Sequence, residues 1–288
     1  MKGWGRMSLP RYSVLMSVYY KEKPEYLKLS IDSMLSQSLI PDQIVIVKDG
    51  ILTKELDSVI DEYAATNENV FTIVSLQENI GLGKALDEGL KYCRNDLVAR
   101  MDSDDISLPN RCELQVQSYV NDPELSIIGT MIDEFYDNPN NIVSSRTVPV
   151  NHKDIARFIK RRSPFNHPSV MFKKSDVIRC GGYGNLRRKQ DLDLFSRMIN
   201  NGCKSANINE SLLLFRSNED NFKRRKSWSY CKSYIDVEYA IWKRGHCSII
   251  DLIFVVFGQM TMYFSPMWLL KWLSNTFLRK TYKDKAEV

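Results

Sequence analysis

The sequence predicts an α/β domain: a mostly parallel central sheet with helices on both faces. Two observations carry this. Over the first hundred residues, short β-branched and apolar runs alternate with segments of helical spacing, a pattern that needs crossover connections and therefore parallel strands. Polar and acidic residues recur where those runs stop, around positions 48–50 and 102–105, and in such sheets ligands bind beyond the carboxyl ends of the strands.

The elements follow in order. Residues 14–20 (VLMSVYY) read as a buried strand, ended by the polar residues 21–24. Residues 26–37 place Leu27, Ile31, Met34 and Leu35 at helical spacing. Residues 43–47 form a second strand, 52–63 a second helix, 70–76 a third strand, 82–93 a third helix and 97–101 a fourth strand. Beyond Pro109 the alternation loosens. Residues 110–120 read as a helix, 126–135 as containing a strand, and 137–141 (DNPNN) as a hairpin tip. Short helices are expected at 151–159 and 192–200, a strand at 169–173 and a longer helix at 228–244.

The 288 residues, with 43% hydrophobic and 26% charged, suffice for one large folded domain with an appendage and exclude a disordered chain. A mean hydropathy of -0.32 excludes a polytopic membrane protein. The net charge of +5 is too mild to indicate nucleic acid, and no nucleic-acid motif is present. Six cysteines without a C-x-x-C pair read as reduced thiols. No secretory-type apolar run opens the chain, so the expected location is cytoplasmic. Residues 252–270 contain no Asp, Glu, Lys or Arg, carry many aromatics, and are followed by Lys271, Arg279, Lys280 and Lys283. This composition fits an in-plane helix pair on the inner face of the plasma membrane better than a span, with packing on the core as the alternative.

The sharpest chemical feature is residues 101–105 (MDSDD). Carboxylates this close repel one another and call for a cation. At a strand end, hard oxygen ligands suit Mg²⁺ or Mn²⁺ bridging to phosphates; a solvated acidic turn is the competing reading. The glycines of residues 79–86 do not complete a dinucleotide fingerprint, since Leu86 stands where Gly or Ala is required, and there is no P-loop. Between positions 157 and 189 stand ten Lys or Arg and one acid, Asp176. Such a cluster attracts phosphates or an anionic membrane. His167 lies in a Pro-bounded loop, and Asp191 is either a helix cap or a general base.

The motifs, in order, are SVYY at 17–20, VKDG at 47–50, NIGLGKALDEGL at 79–90, ARMDSDD at 99–105, NHPSVMF at 166–172, GGY at 181–183, QDLDL at 190–194 and FRSNEDNFKRR at 215–225. This series resembles family 2 glycosyltransferases of bacterial capsule, exopolysaccharide and O-antigen assembly. The resemblance implies a GT-A nucleotide-diphospho-sugar transferase fold over 12–226. Residues 12–105 would form the nucleotide-sugar half and 106–226 the acceptor half, with a helical, membrane-associating tail at 227–288. It also implies Mn²⁺ or Mg²⁺ as cofactor and inversion at the anomeric carbon. The donor, a UDP-sugar, would be bound by Ser17, Tyr19, Glu22, Asp49, Asn79, Gly81, Lys84, Arg100, Asp102, Ser103 and Asp104, with Asp49 at the uracil. Asp104 would hold the metal, with His167 as a candidate second ligand. Asp105, His167, Gln190 and Arg216 would face sugar or acceptor, and Asp191 would be the catalytic base. The implied partner is a lipid-linked saccharide acceptor. Two departures stand out: Gln190 replaces a frequent Glu, and Tyr20 replaces a frequent Asn. A nucleotidyltransferase and a catalytically inert sugar-nucleotide-binding protein are the alternatives.

Overall fold

The structure is a computed structural model and describes residues 9–186, 188–217 and 226–266. The basic residues after 270, the rest of the charge-free tail beyond 266 and most of the 215–225 motif lie outside the described residues.

The first half follows the expected alternation. β1 (Tyr12–Val18), β2 (Gln43–Lys48), β3 (Phe71–Ser75) and β4 (Leu97–Asp102) are all parallel, in the order β3-β2-β1-β4. Between them run α1 (Pro24–Leu35), α2 (Lys54–Thr66) and α3 (Leu82–Tyr92). β1, β2 and β4 are buried along almost their whole length, as strands covered on both faces must be. α2 starts later than expected because Thr53 accepts the Leu56 N–H and so caps it, a contact typically worth about 1 kcal/mol.

The second half extends the same sheet with mixed pairing. β5 (Ile106–Ser107), α4 (Arg111–Asn121), β6 (Leu125–Phe135), β7 (Ile142–Arg146) and α5 (His152–Phe158) come first. β8 (Met171–Lys173), α6 (Lys174–Arg179), α7 (Gln190–Asn200) and β9 (Lys204–Arg216) follow. β8 runs antiparallel to both β4 and β6, β6 is parallel to β9, and β7 pairs with β6 across the expected hairpin. The sheet is therefore wholly parallel only in its first half, and mixed in its second. Two strands were not anticipated: β9, whose inward residues are interrupted by Asn209 and Glu210, and β5, which is two residues long. The strand expected at 169–173 is shortened because His167–Ser169 forms a 3₁₀ turn with Pro168 in it.

Alternation along the strands divides the core into two layers. Val14, Met16, Ile44, Ile46, Ala99 and Met101 pack with α1, α2 and α4. Leu15, Val45, Val47 and Val98 pack on the other face with α3, α5, α6 and α7. Arg100 and Asp102 share this second face with Val98. The same cluster includes Tyr234, Val237 and Ile241 of α8 (Trp228–Lys243) and Val255 of α9 (Ile249–Phe264). Both tail helices thus bury one face in the domain core, as the core-packing alternative expected. The other face of α9 leaves Ile250, Ile253, Phe254 and Phe257 each more than half exposed. Among the described residues no helix is long and apolar enough to cross a membrane.

Candidate active site

The acidic turn sits where β4 ends. Asp102, Asp104 and Asp105 each offer a carboxylate oxygen, all within 4.8 Å of one another. This turn is held from three directions. Ser30 on α1 donates to the Asp102 carbonyl at 2.7 Å. Arg216, at the end of β9, donates from Nε to the Asp104 carbonyl at 2.9 Å. The Ser103 hydroxyl donates to Glu22 Oε2 at 2.5 Å. Arg100, 1% exposed, forms an ion pair with Asp102, which two-residue spacing on a strand places on the same face. Among the described residues, the Arg100 Nε and Nη1 have no hydrogen-bond partner.

The electrostatics of the turn favour a divalent cation there. Burial, together with the charges of Asp102 and Glu22, pushes Asp104 up to about 7. Asp105 lies well above the usual carboxylate range because it is fully buried beside Asp104 and Asp102. One paired guanidinium does not neutralise three acids, so the donor set fits a divalent ion at Asp102 and Asp104. Asp105 is placed differently from the expectation of a sugar contact. It is 0% exposed, and its Oδ1 accepts the Arg216 N–H at 2.8 Å, so it holds the end of β9 against the turn. Arg216 likewise is a support for the turn. Its guanidinium carbon lies 3.8 Å from the Tyr26 ring centroid and 4.6 Å from that of Phe135.

Asp49, expected at the uracil, spends its carboxylate on the neighbouring loop. It accepts from Ile80 N at 2.8 Å, Asn79 Nδ2 at 2.9 Å and Gly81 N at 3.2 Å. Burial raises its carboxyl above the ordinary range while the Ile80 and Gly81 N–H groups pull it back. Gly50 makes this junction possible: its φ is +85°, and a Cβ there would stand 2.7 Å from Asn79 N. Ser17 is paired in register with Asp102 at the sheet edge of the site. Tyr19 and Lys84 are exposed.

A cleft of about 470 Å³ opens beside the turn. Arg100, Asp102, His167 and Asp191 line it, with Tyr230 and Tyr234 of α8 and Phe254 and Met262 of α9. Asp191, in the first turn of α7, has no hydrogen-bond or ion-pair partner among the described residues, and no side-chain cap bond closes this helix at Lys189. The capping alternative for Asp191 therefore falls. Its neighbour Asp193 is structural: Oδ1 accepts from Arg244 at 2.6 Å and Oδ2 from Arg197 at 3.0 Å. Gln190 is 7% exposed and packs toward Gly83, where a Cβ would meet its Cγ at 3.0 Å. It is a helix-packing residue in this geometry.

His167 stands apart from the acidic cluster. Its Nε2 is 2.9 Å from the Tyr183 hydroxyl, and burial beside Arg100 holds the imidazole well below its usual range, hence neutral. The expected metal contact is replaced by this hydrogen bond. Tyr183 is itself fixed by a turn in which Gly182 has φ +62°, Tyr183 N donates to Asp87 at 3.0 Å, and Arg197 donates to the Gly182 carbonyl at 2.7 Å.

Residues that sequence reading did not single out include Arg111 and Glu134. Arg111, fully buried, donates to the Arg100 and Pro168 carbonyls and so joins β4 to the His167 turn. Glu134 lines the cleft from β6. Neither has a local signature, since each acts through a neighbour distant in sequence.

The model of the glycosyl transferase family 2 matches residues 13–182. A β-1,3-galactosyltransferase of Escherichia coli, named for transfer from UDP-Gal to α-D-GlcNAc-diphosphoundecaprenol, is 36% identical over 89% of this chain and 92% of its own. An amylovoran biosynthesis glycosyltransferase of Erwinia amylovora is 37% identical over 78% of this chain and 84% of its own. Among solved structures, a mannosyltransferase of Pyrobaculum calidifontis in complex with GDP-Man and Mn²⁺ superposes with a TM-score of 0.62. It is 16% identical and covers 94% of this chain and 76% of its own. That likeness shows the GT-A fold. On these matches the chain belongs to glycosyl transferase family 2.

Proposed function

We propose that the chain transfers a sugar from a nucleotide-diphospho-sugar, a UDP-sugar, to a hydroxyl of a polyprenyl-diphosphate-linked saccharide in surface polysaccharide assembly. The observation that carries this is the placement of Asp102 and an unpartnered Asp191 in one cleft. Asp102 and Asp104 would hold Mn²⁺ or Mg²⁺, which when bound neutralises charge on the leaving diphosphate. Asp191 accepts the proton of the attacking hydroxyl. Arg100 orients Asp102 through their ion pair. A single displacement breaks the bond from the anomeric carbon to the diphosphate as the new glycosidic bond forms from the opposite face, and the configuration inverts. The likeness to the Escherichia coli galactosyltransferase supports both donor and acceptor class.

The reaction would take place at the cytoplasmic face of the membrane. The exposed apolar face of α9 supports this, because such a face lies favourably in the headgroup boundary. The deciding assay measures nucleoside diphosphate release from UDP-sugars with and without a polyprenyl-diphosphate-linked acceptor. Acceptor-dependent release of UDP is expected; release of pyrophosphate would mark a nucleotidyltransferase, and no turnover with any donor would favour an inert binding protein. For the membrane, Ile253→Glu with Phe257→Glu is expected to abolish sedimentation with anionic liposomes, and unchanged sedimentation would refute the contact.

A further inference from the structure

Hydrogen-bond acceptors without a protein partner, among the described residues, line the cleft. The carboxylate of Asp191 is one. Asn166, 1% exposed, donates from Nδ2 to the Thr130 carbonyl at 2.8 Å but leaves its Oδ1 unpartnered. Gln259 on α9, 7% exposed, leaves its Oε1 unpartnered, and both residues line the cleft. A buried acceptor without a partner costs stability, and native proteins keep few of them.

A second cost stands beside Gln259. Gly258 lies in the interior of α9 and lines the same cleft. Glycine weakens a helix interior relative to alanine. Close packing explains such a glycine elsewhere in this chain: a Cβ at Gly89 of α3 would stand 2.4 Å from Val47 Cγ2 and 2.6 Å from Leu15 Cδ1. A Cβ at Gly258 would meet no atom within 4 Å. Contacts within the described residues therefore explain neither Gly258 nor the free oxygen of Gln259, and the two are adjacent on one wall.

We propose that Gly258 and Gln259 are specificity-determining residues that contact a sugar ring of the acceptor. The ring packs against the helix at Gly258, and the Gln259 amide accepts a hydrogen bond from one of its hydroxyls. This rests on the transferase reading above and deepens it. The chemistry of the unpartnered groups selects the ligand. All are acceptors, so their partner must bring O–H or N–H donors. An ionised diphosphate and a lipid chain bring none, whereas a pyranose brings several. The terminal amide torsion of glutamine is soft, so its oxygen can turn from the wall to the cleft. The acidic turn falls within residues 13–182, which the family model matches, and α9 lies beyond them. A contact on α9 therefore suits the acceptor rather than the nucleotide donor.

The test uses the full chain with UDP and Mn²⁺ in vesicle-free solution, so that α9 has no membrane to enter. Calorimetry measures decyl diphosphates bearing GlcNAc, GalNAc, Glc or Gal, rings that differ at the C4 hydroxyl or the C2 substituent. The parent should prefer one ring over another by at least about 3-fold, within the range of one neutral hydrogen bond. Gln259→Leu should bring that ratio close to one. Gly258→Ala should weaken the preferred ring at least about 5-fold, the scale of a methyl forced into an occupied contact. UDP affinity should hold in both. Without acceptor, the melting temperature should stay level or rise in both variants, since leucine removes the unpartnered oxygen and alanine favours the helix. A purely structural role predicts a lower melting temperature, and a fall in either variant overturns the site. Unchanged selectivity and affinity in the variants overturn it, as does a parent that binds every ring alike or none. Lost UDP affinity would assign this wall to the donor and also overturn it. UDP release from a panel of UDP-sugars, run in parallel, separates the two readings. Release with equal selectivity in the parent and Gln259→Leu sinks the site alone. Selectivity that is lost in Gln259→Leu, without any UDP release by the parent, sinks the transferase reading alone.

Discussion

The two walls of the cleft are built differently. On one side, the proposed donor wall, the acidic turn ends a parallel strand buried along almost its whole length, and the turn is fixed by Ser30, Arg216 and the Ser103–Glu22 contact. Even Asp49 is spent on shaping a loop. On the other, the proposed acceptor wall, Asp191 has no hydrogen-bond or ion-pair partner among the described residues, Lys189 rests on two tyrosine rings, and a helix stands with one face in the core and the other uncovered. A nucleotide diphosphate presents the same charges whatever sugar it carries, so a rigid, preorganised turn serves it. In the proposed reaction Asp191, as base, must stay free until an acceptor hydroxyl arrives, so its surroundings supply position without a bonded partner.

The largest effect should come from emptying the donor wall. EDTA is expected to reduce turnover to background and Mn²⁺ or Mg²⁺ to restore it, with Asp104→Ala equally inactive. Full activity in EDTA would show that the acidic turn is held without a cation. Next comes the acceptor wall. Asp191→Asn should lower kcat by at least about 10²-fold, the usual scale for a positioned base, and leave UDP-sugar affinity unchanged. Near-normal kcat would remove Asp191 from the chemistry, and Asp193, locked between two arginines, could not replace it.

A smaller effect tests whether the turn is preorganised from behind. Arg216→Gln should raise the metal concentration for half-maximal activity by about 10-fold, the scale of losing a hydrogen bond to a charged group. Arg216→Lys should not rescue it, because an ammonium lacks the planar fork that stacks on Tyr26 and Phe135. An unaltered metal requirement in both variants would show that Ser30 and Ser103 suffice.

The smallest effect lies under the acceptor wall. Glu238 on α8 is fully buried with neither oxygen bonded among the described residues, and burial beside Asp251 pushes its carboxyl up to about 8. An unfolded glutamate titrates near about 4.3. Between those values the native chain retains a proton that the unfolded chain releases, so stability falls as pH rises through this window. Glu238→Gln should match the parent in Tm near pH 4 and exceed it near pH 8, because the amide has no charge to bury. Parallel Tm curves across that range would show that Glu238 finds a partner.

The sequence by itself determined the alternating first half, because consecutive strands and helices there each bury a continuous apolar stripe, as in residues 43–47 and 82–93. It also located the acidic turn and Asp191, since charges gathered next to buried elements are visible locally. Only the tertiary structure decided what those charges touch. Asp105 and Arg216 meet across 111 residues, and Asp49 meets a loop 31 residues away. His167 is taken by Tyr183, and β9 is recognised only once β6 pairs with it. The physical reason is range: apolar periodicity records burial residue by residue, whereas a hydrogen bond or ion pair depends on a partner that the fold, not the neighbouring sequence, brings near.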